Sequence, residues 1–319
     1  MSEKLDNGVS VCMITYNHGE FIAQAIESVL MQKVNFQIEL IIGDDCSSDN
    51  TRQICMDYQA KYPKIIKLRL PAKNQGAIVN VVGNLNLCKL KYIAMLEGDD
   101  YWTDPCKLQK QVDFLEANTH IVGCFHDVIN VDENNIVLKE NFYESHQKIY
   151  KQSDCVRMGG AYATCSLVFR SIAIKNIPEW ALKGMSDYVL DLLITEYGDI
   201  AHIGENMGAY RIHRGGAWQG NKLHKNLEET VRRYRICLTV PKFKRKYGSH
   251  FNKLISEFSL QISKEYGWED KWFKQLKYAW YYFYYLEAKN KQSLKFLIRA
   301  ILASPYIKRI KRYFKYFHL

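Results

Sequence analysis

The chain has 319 residues, enough for one large domain or for one domain with an appendage. Hydrophobic residues make up 47% and charged residues 24%, with 18 glycines and six prolines, which excludes a low-complexity or extensively disordered chain. The net charge is +10, but Lys291, Lys295, Arg299, Lys308, Arg309, Lys311, Arg312 and Lys315 crowd residues 290–319 without a single acid. The rest is close to neutral, so a nucleic-acid-binding body is not expected.

The first strand is the apolar run Val9-Ser10-Val11-Cys12-Met13-Ile14-Thr15, and Tyr16-Asn17-His18-Gly19 turns the chain after it. Phe21, Ile22, Ala25, Ile26, Val29 and Leu30 then repeat at helical spacing. Ile38–Ile42 is a second strand closed by Gly43-Asp44-Asp45-Cys46-Ser47-Ser48-Asp49-Asn50, where Ser48 or Asp49 caps a helix reaching about Tyr62. Ile65–Leu70 is a third strand, and Asn74-Gln75-Gly76 leads into a helix of about 78–89. The fourth strand, 92–96, stops abruptly at Glu97-Gly98-Asp99-Asp100-Tyr101-Trp102.

This alternation predicts βαβ units and a mostly parallel, Rossmann-like mixed sheet with flanking helices. The Gly-x-Gly-x-x-Gly fingerprint and the Gly-Lys-Ser/Thr phosphate loop are both missing. Two strands instead end in paired acids, Asp44-Asp45 and Asp99-Asp100, and parallel strands put both pairs on one rim. Ligands bind at that rim in open α/β sheets, and paired carboxylates there can hold a hard divalent cation. An idle, solvated acidic turn is the bland alternative.

Asp104-Pro105 starts a helix with Leu108, Val112 and Leu115 as its core stripe. Strands are expected from His120, over 163–169, and from Asn206 into a flexible loop at Arg211-Ile212-His213-Arg214-Gly215-Gly216. Residues 133–157 read as a surface excursion, and 186–197 as a helix opened by Ser186 or Asp187. Beyond about 220 the chain turns helical, basic and aromatic. Two domains are therefore expected, 1–220 and 221–319.

Nine cysteines lack any Cys-x-x-Cys pair, and Cys12, Cys124 and Cys165 lie inside apolar strands, which suits buried thiols and a reducing compartment. The polar start Met1–Asp6 has no apolar signal core, and no run reaches the length of a membrane span. The expected location is the cytoplasm, either free or peripheral on the inner face of the cell membrane.

Val9–Asn17, Asp44–Thr51, Asn74-Gln75-Gly76 and Glu97–Trp102, in this order and spacing, resemble the family 2 glycosyltransferases of bacterial surface-glycan synthesis. The resemblance spans roughly residues 8–216. It implies the GT-A fold and an inverting transferase that uses a nucleotide-diphosphate sugar, usually a uridine one, with Mg²⁺ or Mn²⁺. It implies that Thr15, Tyr16, Asn17 and Asp45 bind the base and nearby groups, with Gly76 in the same donor site. Asp99 and Asp100 would sit at the ribose, metal and diphosphate, Asp100 being the direct ligand. His213 would contact metal or phosphate, Arg211 or Arg214 would pair with phosphate, and Gly215-Gly216 would be a hinge. Asn80 stands where some relatives aim a basic residue at the phosphates, and its amide can still donate a hydrogen bond. Many relatives carry Asp where this chain has Glu97, so Glu97 is not counted as a ligand.

Sugar transfer needs neutralisation of the leaving group and a base for the acceptor hydroxyl on the opposite face of the sugar. In similar transferases that base is an acid near the start of a late helix. Asp187 fits that position, although a helix N-cap would use the same residue type. Asp191, one turn on, is the rival. The acceptor is expected to be a glycan or lipid-linked glycan, and the basic, aromatic C-terminus suits an anionic membrane surface. A solvated tail or a partner-binding helix is the alternative there. Two other functions compete: a catalytically silent nucleotide-sugar-binding scaffold, against which the intact acids speak, and a sugar nucleotidyltransferase, which would carry a Gly-rich basic loop in place of Tyr16-Asn17-His18-Gly19.

Overall fold

The computed structural model describes residues 6–140, 147–158, 162–216, 222–268, 271–286 and 291–302. They fall into two compact units, 1–216 and 217–319.

The first unit runs β1 (Gly8–Thr15), α1 (Ile22–Leu30), β2 (Gln37–Asp44), α2 (Thr51–Lys61), β3 (Ile66–Arg69), α3 (Ala77–Leu85) and β4 (Tyr92–Glu97). It continues with β5 (Tyr101–Trp102), α4 (Lys107–Ala117), β6 (Ile121–Val131), β7 (Val137–Lys139), β8 (Ile149–Tyr150) and α5 (Gln152–Met158). β9 (Val168–Arg170), α6 (Glu179–Gly184), α7 (Asp187–Ile194) and β10 (Asp199–Arg211) complete it. The strands form one mixed sheet in the order β3-β2-β1-β4-β9-β6-β10-β5, with β7 beside β6 and β8 beside β10.

The half of the sheet made by β3, β2, β1 and β4 is parallel, and its register aligns the strand ends: Thr15 faces Asp44 and Ile14 faces Glu97. Val9, Val11, Met13, Leu40, Ile42, Ala94 and Leu96 pack with Ile22, Ala25 and Ile26 of α1 in one core. Strands covered on both faces read as unbroken apolar runs, which is why these were visible in the sequence. β9 then pairs antiparallel with β4 and β6, and β10 runs parallel to β6 and antiparallel to β5.

Several elements differ from the sequence expectation: Asn50, not Ser48 or Asp49, is the N-cap of α2, and β7, β8 and most of α5 lie within the expected excursion 133–157. The strand expected over 163–169 begins only at Val168, because Thr164–Ser166 is a 3₁₀ turn. Its carbonyls bond to side chains instead of a strand: Trp102 Nε1 donates to Cys165 O at 2.8 Å and Gln111 Nε2 to Ser166 O at 3.0 Å. β10 starts at Asp199, not near Asn206, and register shifts near Ile203 and Asn206 break the period that would have shown it. Asp104 Oδ1 accepts from Cys106 N at 2.7 Å, so it organises the turn before α4 instead of capping the helix itself.

The second unit comprises α8 (Leu223–Thr239), α9 (Pro241–Trp268), α10 (Trp272–Tyr285) and α11 (Lys291–Leu302). Tyr234, Phe243, Phe251, Ile255, Ile262, Tyr266 and Tyr278 are buried. Ser263 Oγ donates to Gln275 O at 2.9 Å and Ser256 Oγ to Tyr282 O at 3.2 Å, so small side chains on α9 bring α10 close. Phe273, Trp280 and Tyr284 of α10 and Leu294 and Ile298 of α11 remain exposed. The expected boundary at 220/221 and the cations from Lys308 onward lie outside the described residues.

Candidate active site at the carboxyl edge of the sheet

The loops after β1 and β2 are tied to each other. Asn17 N donates to Ser47 Oγ at 2.8 Å, His18 N to Thr51 Oγ1 at 2.8 Å, Gly19 N to Asp49 Oδ2 at 2.9 Å, and Ser48 N to Asn17 Oδ1 at 2.8 Å. Asn17 and Cys46 take left-handed backbone conformations, φ 56° and 62°, which let both loops fold back on the strand ends. His18 O accepts from Phe21 N and Ile22 N, so the same turn starts α1.

Asp45 sits under this lattice. Its N–H donates to Thr15 O, its Oδ1 accepts from Gln75 N and its Oδ2 from Gly76 N, both at 2.8 Å. Gly76 has φ 86°, a conformation that a side chain would strain, and it opens α3. Thr15 is buried, and its Oγ1 finds no partner among the described residues; Tyr16 is exposed. Asn80 is placed differently from the expectation of a phosphate contact. It is buried, its Nδ2 donates to Gly43 O at 2.8 Å and its Oδ1 accepts from Arg69 Nη1 at 3.0 Å, so it holds α3 onto β2.

At the end of β4, Gly98 lets the chain pass Thr15 closely; a Cβ there would lie 2.6 Å from Thr15 Oγ1. Asp99 Oδ2 stands 3.0 Å from His213 Nε2 and 3.7 Å from His18 Nε2. Burial alone would raise the Asp99 carboxyl, but the His213 hydrogen bond and the charge of His18 outweigh it and hold it below the usual value. The donor atoms of His18, Asp99 and His213 all lie within 4.8 Å of one another, a spacing that one metal ion can bridge.

Asp100 is turned the other way. It is 2% exposed and its Oδ1 accepts from the backbone N–H of Arg211 at 2.8 Å. Burial, then the neighbouring Asp99 and Glu97, push its carboxyl well above the usual range. The expectation of Asp100 as the direct ligand beside His213 therefore meets a different geometry: Asp99 is the acid brought to His213, because β10 claims the Asp100 side chain. Glu97 is likewise pushed up to about 8, by burial, then Asp99, then Asp187.

Arg211 also departs from the expectation of a phosphate contact. Its Nε donates to Asp99 O, its Nη1 to Asp132 O and Glu133 O, and its Nη2 to Gln24 Oε1 and Asn135 Oδ1. A guanidinium has five N–H donors, so all are occupied. The group also lies 4.6 Å from the Phe21 ring and 5.3 Å from the Tyr101 ring. Arg211 is thus a clamp that fixes the Asp99-Asp100 turn to α1 and the β6–β7 hairpin, whereas Arg214 is exposed.

Ser186, the N-cap of α7, accepts from Val189 N at 3.3 Å through Oγ. Asp187 is the first helical residue, is exposed, and accepts from Tyr188 N at 2.7 Å. Asp191 is 3% exposed and accepts a hydrogen bond from Tyr162 Oη. Burial pushes the Asp191 carboxyl up to about 8, with Asp187 adding to the rise. Asp187 thus offers an accessible carboxylate and Asp191 does not. His18 and the clamping partners of Arg211 were not singled out from the sequence. A histidine directly after Thr15-Tyr16-Asn17 was the one available signal for His18.

The family model described as glycosyl transferase family 2 matches residues 10–176. A similar sequence is an uncharacterized protein of Mycobacterium tuberculosis, 33% identical over 211 residues; the match covers 66% of this chain, and the chain spans 60% of that relative's length. Among solved structures, S. aureus TarS 1-349 in complex with UDP-GlcNAc is similar with a TM-score of 0.61 at 15% identity, covering 92% of this chain and 86% of that one. The mannosyltransferase PcManGT from Pyrobaculum calidifontis, in complex with GDP-Man and Mn²⁺, is similar with a TM-score of 0.52 at 13% identity, covering 97% and 86%.

Proposed function

This chain belongs to glycosyl transferase family 2, and from that premise we propose that it is a glycosyltransferase that makes an inverting transfer from a nucleotide-diphosphate sugar, a uridine one, to a glycan or lipid-linked acceptor. The setting we propose is cell-surface polysaccharide or lipopolysaccharide synthesis. The observation that carries the reading is the pairing of Asp99 with His213 at 3.0 Å on the carboxyl edge of the sheet. UDP-GlcNAc in TarS and GDP-Man with Mn²⁺ in PcManGT support the class of donor.

Thr15, Tyr16, Asn17 and Asp45 receive the nucleoside. The Asp45 carboxylate spends one lone pair on each of Gln75 N and Gly76 N and keeps others for a base N–H. A carboxylate and an imidazole within bridging distance fit Mg²⁺ or Mn²⁺, and Asp99 and His213 would hold the ion. When bound, it neutralises charge developing on the leaving diphosphate. Arg214 supplies a cation for the phosphates. Asp187 takes the proton of the acceptor hydroxyl as that oxygen attacks the anomeric carbon from the face opposite the diphosphate.

Among the described residues no helix is long and apolar enough to cross a membrane. The exposed aromatic side of α10, with α11, is proposed to rest on an anionic membrane surface, on the cytoplasmic side, where lipid-linked acceptors would lie. A panel of nucleotide-sugars screened for thermal stabilisation, with and without Mn²⁺, tests the donor assignment. A metal-dependent rise with one sugar class is expected; no rise with any of them would overturn it.

A further inference from the structure

We propose that His18 is a third metal ligand, and that two imidazoles with one carboxylate make the site prefer Mn²⁺ over Mg²⁺. The inference rests on the assignment of Asp99 and His213 above and adds a residue and a selectivity to it.

His18 Nε2 lies 3.7 Å from Asp99 Oδ2, too far for a hydrogen bond. Two ligands each about 2.1 Å from one ion are about 3 Å apart when they meet at a right angle and about 4.2 Å apart when opposite. The 3.7 Å separation, and the 3.0 Å separation of His213 Nε2 from the same oxygen, fall inside that range. All three donor atoms lie within 4.8 Å of one another.

The position of His18 is also fixed in advance. Its N–H is held by Thr51 Oγ1 at 2.8 Å and its carbonyl by the first amides of α1. Only 13% of its side chain is exposed, so the ring has little room to swing out. The His18 and His213 rings stand at 81° with centroids 5.8 Å apart, so they do not stack, and both present Nε2 to Asp99. Phe21 buttresses His213 with ring centroids 4.9 Å apart. A donor set held by packing and backbone bonds binds without a large ordering cost.

The selectivity follows from ligand type. Mg²⁺ is a small hard ion that takes oxygen ligands in near-ideal octahedra and keeps its waters. Imidazole suits first-row transition ions, and of the two ions Mn²⁺ is the transition ion, which tolerates imidazole beside carboxylate better than the harder Mg²⁺ does. Each imidazole in the set therefore shifts preference away from Mg²⁺.

Pulsed EPR of Mn²⁺ bound to the full chain, alone and with UDP, counts imidazole nitrogens on the ion. Two are expected in the native protein, a count that needs no variant, and one in His18→Asn. Competition titration should show Mn²⁺ preferred over Mg²⁺ by at least roughly tenfold, with the preference reduced in His18→Asn. One imidazole in the native protein, unchanged by His18→Asn, would remove His18 and leave the Asp99–His213 assignment standing. No imidazole coupling in either sample would overturn both.

Discussion

Oδ2 of Asp99 stands 3.0 Å from Nε2 of His213, joining the end of β4 to the loop after β10. The next residue, Asp100, spends its carboxylate on the backbone of β10. Two adjacent acids with the same sequence signature thus have opposite duties. Asp99→Ala should abolish Mn²⁺-dependent stabilisation by a nucleotide-sugar, while Asp100→Asn should retain it, because asparagine keeps an acceptor for the Arg211 N–H. Asp100→Ala leaves that buried donor unpaired and should cost about 1–3 kcal/mol of stability. Thermal shift with and without Mn²⁺ separates the two residues; loss of Mn²⁺ dependence in Asp100→Asn would return the ligand role to Asp100.

The two arginines of the same loop should divide in a parallel way. Arg211→Ala strips donors from the carbonyls of Asp99, Asp132 and Glu133 at once, and a loss of at least about 3 kcal/mol in urea unfolding is expected. Arg214→Ala should leave unfolding unchanged and raise the donor KM. A destabilised Arg214→Ala, or an Arg211→Ala as stable as the native chain, would reverse the assignment.

The parallel half of the sheet was legible because Val9–Thr15, Ile38–Ile42 and 92–96 are apolar runs closed by polar turns, and the rim acids follow from that. Which of Asp99 and Asp100 faces the site was not legible. Adjacent residues at a strand end diverge, and their direction is decided by Arg211, more than a hundred positions away in sequence. Arg211 and Asn80 misled for one shared reason. Sequence displays a polar group's capacity to bind phosphate but not the buried carbonyls that already occupy it, Asp132 O and Glu133 O in one case and Gly43 O in the other. His18 escaped notice because its value comes from the loop lacing through Thr51 and Asp49, residues of a different βα turn.

Asp191 gives a pH dependence whose sign is determined. Burial raises its carboxyl from the ordinary value to about 8, so the folded chain holds a proton that the unfolded chain has released above about pH 4. Stability from this group is full below that value and falls as pH rises toward 8, by at most about 1.4 kcal/mol per pH unit. Asp191→Asn keeps an acceptor for Tyr162 and has no proton to lose. Its melting temperature relative to the native chain should therefore climb between pH 5 and 8; a pH-independent difference would place the group in a solvated setting.

The second unit makes a separate expectation. Phe273, Trp280 and Tyr284 are spaced by seven and four positions, which sets them along one side of α10, and all three are exposed. Lys274 and Lys277 of α10 and Lys295 and Arg299 of α11 add cations, and neither helix contains an acid. Each cation near an anionic leaflet is worth about 1 kcal/mol. Phe273→Glu with Trp280→Glu should lower co-sedimentation with phosphatidylserine vesicles by about tenfold or more while leaving α-helical content unchanged. Equal binding of native and variant chains would remove the membrane role from this face.

Asp187 and Asp191 lie one turn apart on α7, yet only Asp187 is accessible, and its charge reaches Glu97 at the rim. A base must meet the proton it removes, so burial excludes Asp191 from that step unless α7 moves. Asp187→Asn preserves size and an acceptor for Tyr188 N while removing basicity. It should keep donor binding within about twofold and lower kcat by about 10²–10⁴-fold. Asp191→Asn should stay within about tenfold of native kcat. The comparison is best read at saturating donor, where kcat reports the chemical step apart from binding. Near-native turnover in Asp187→Asn together with a collapse in Asp191→Asn would transfer the base to the buried carboxyl, and Tyr162 would then be its proton partner.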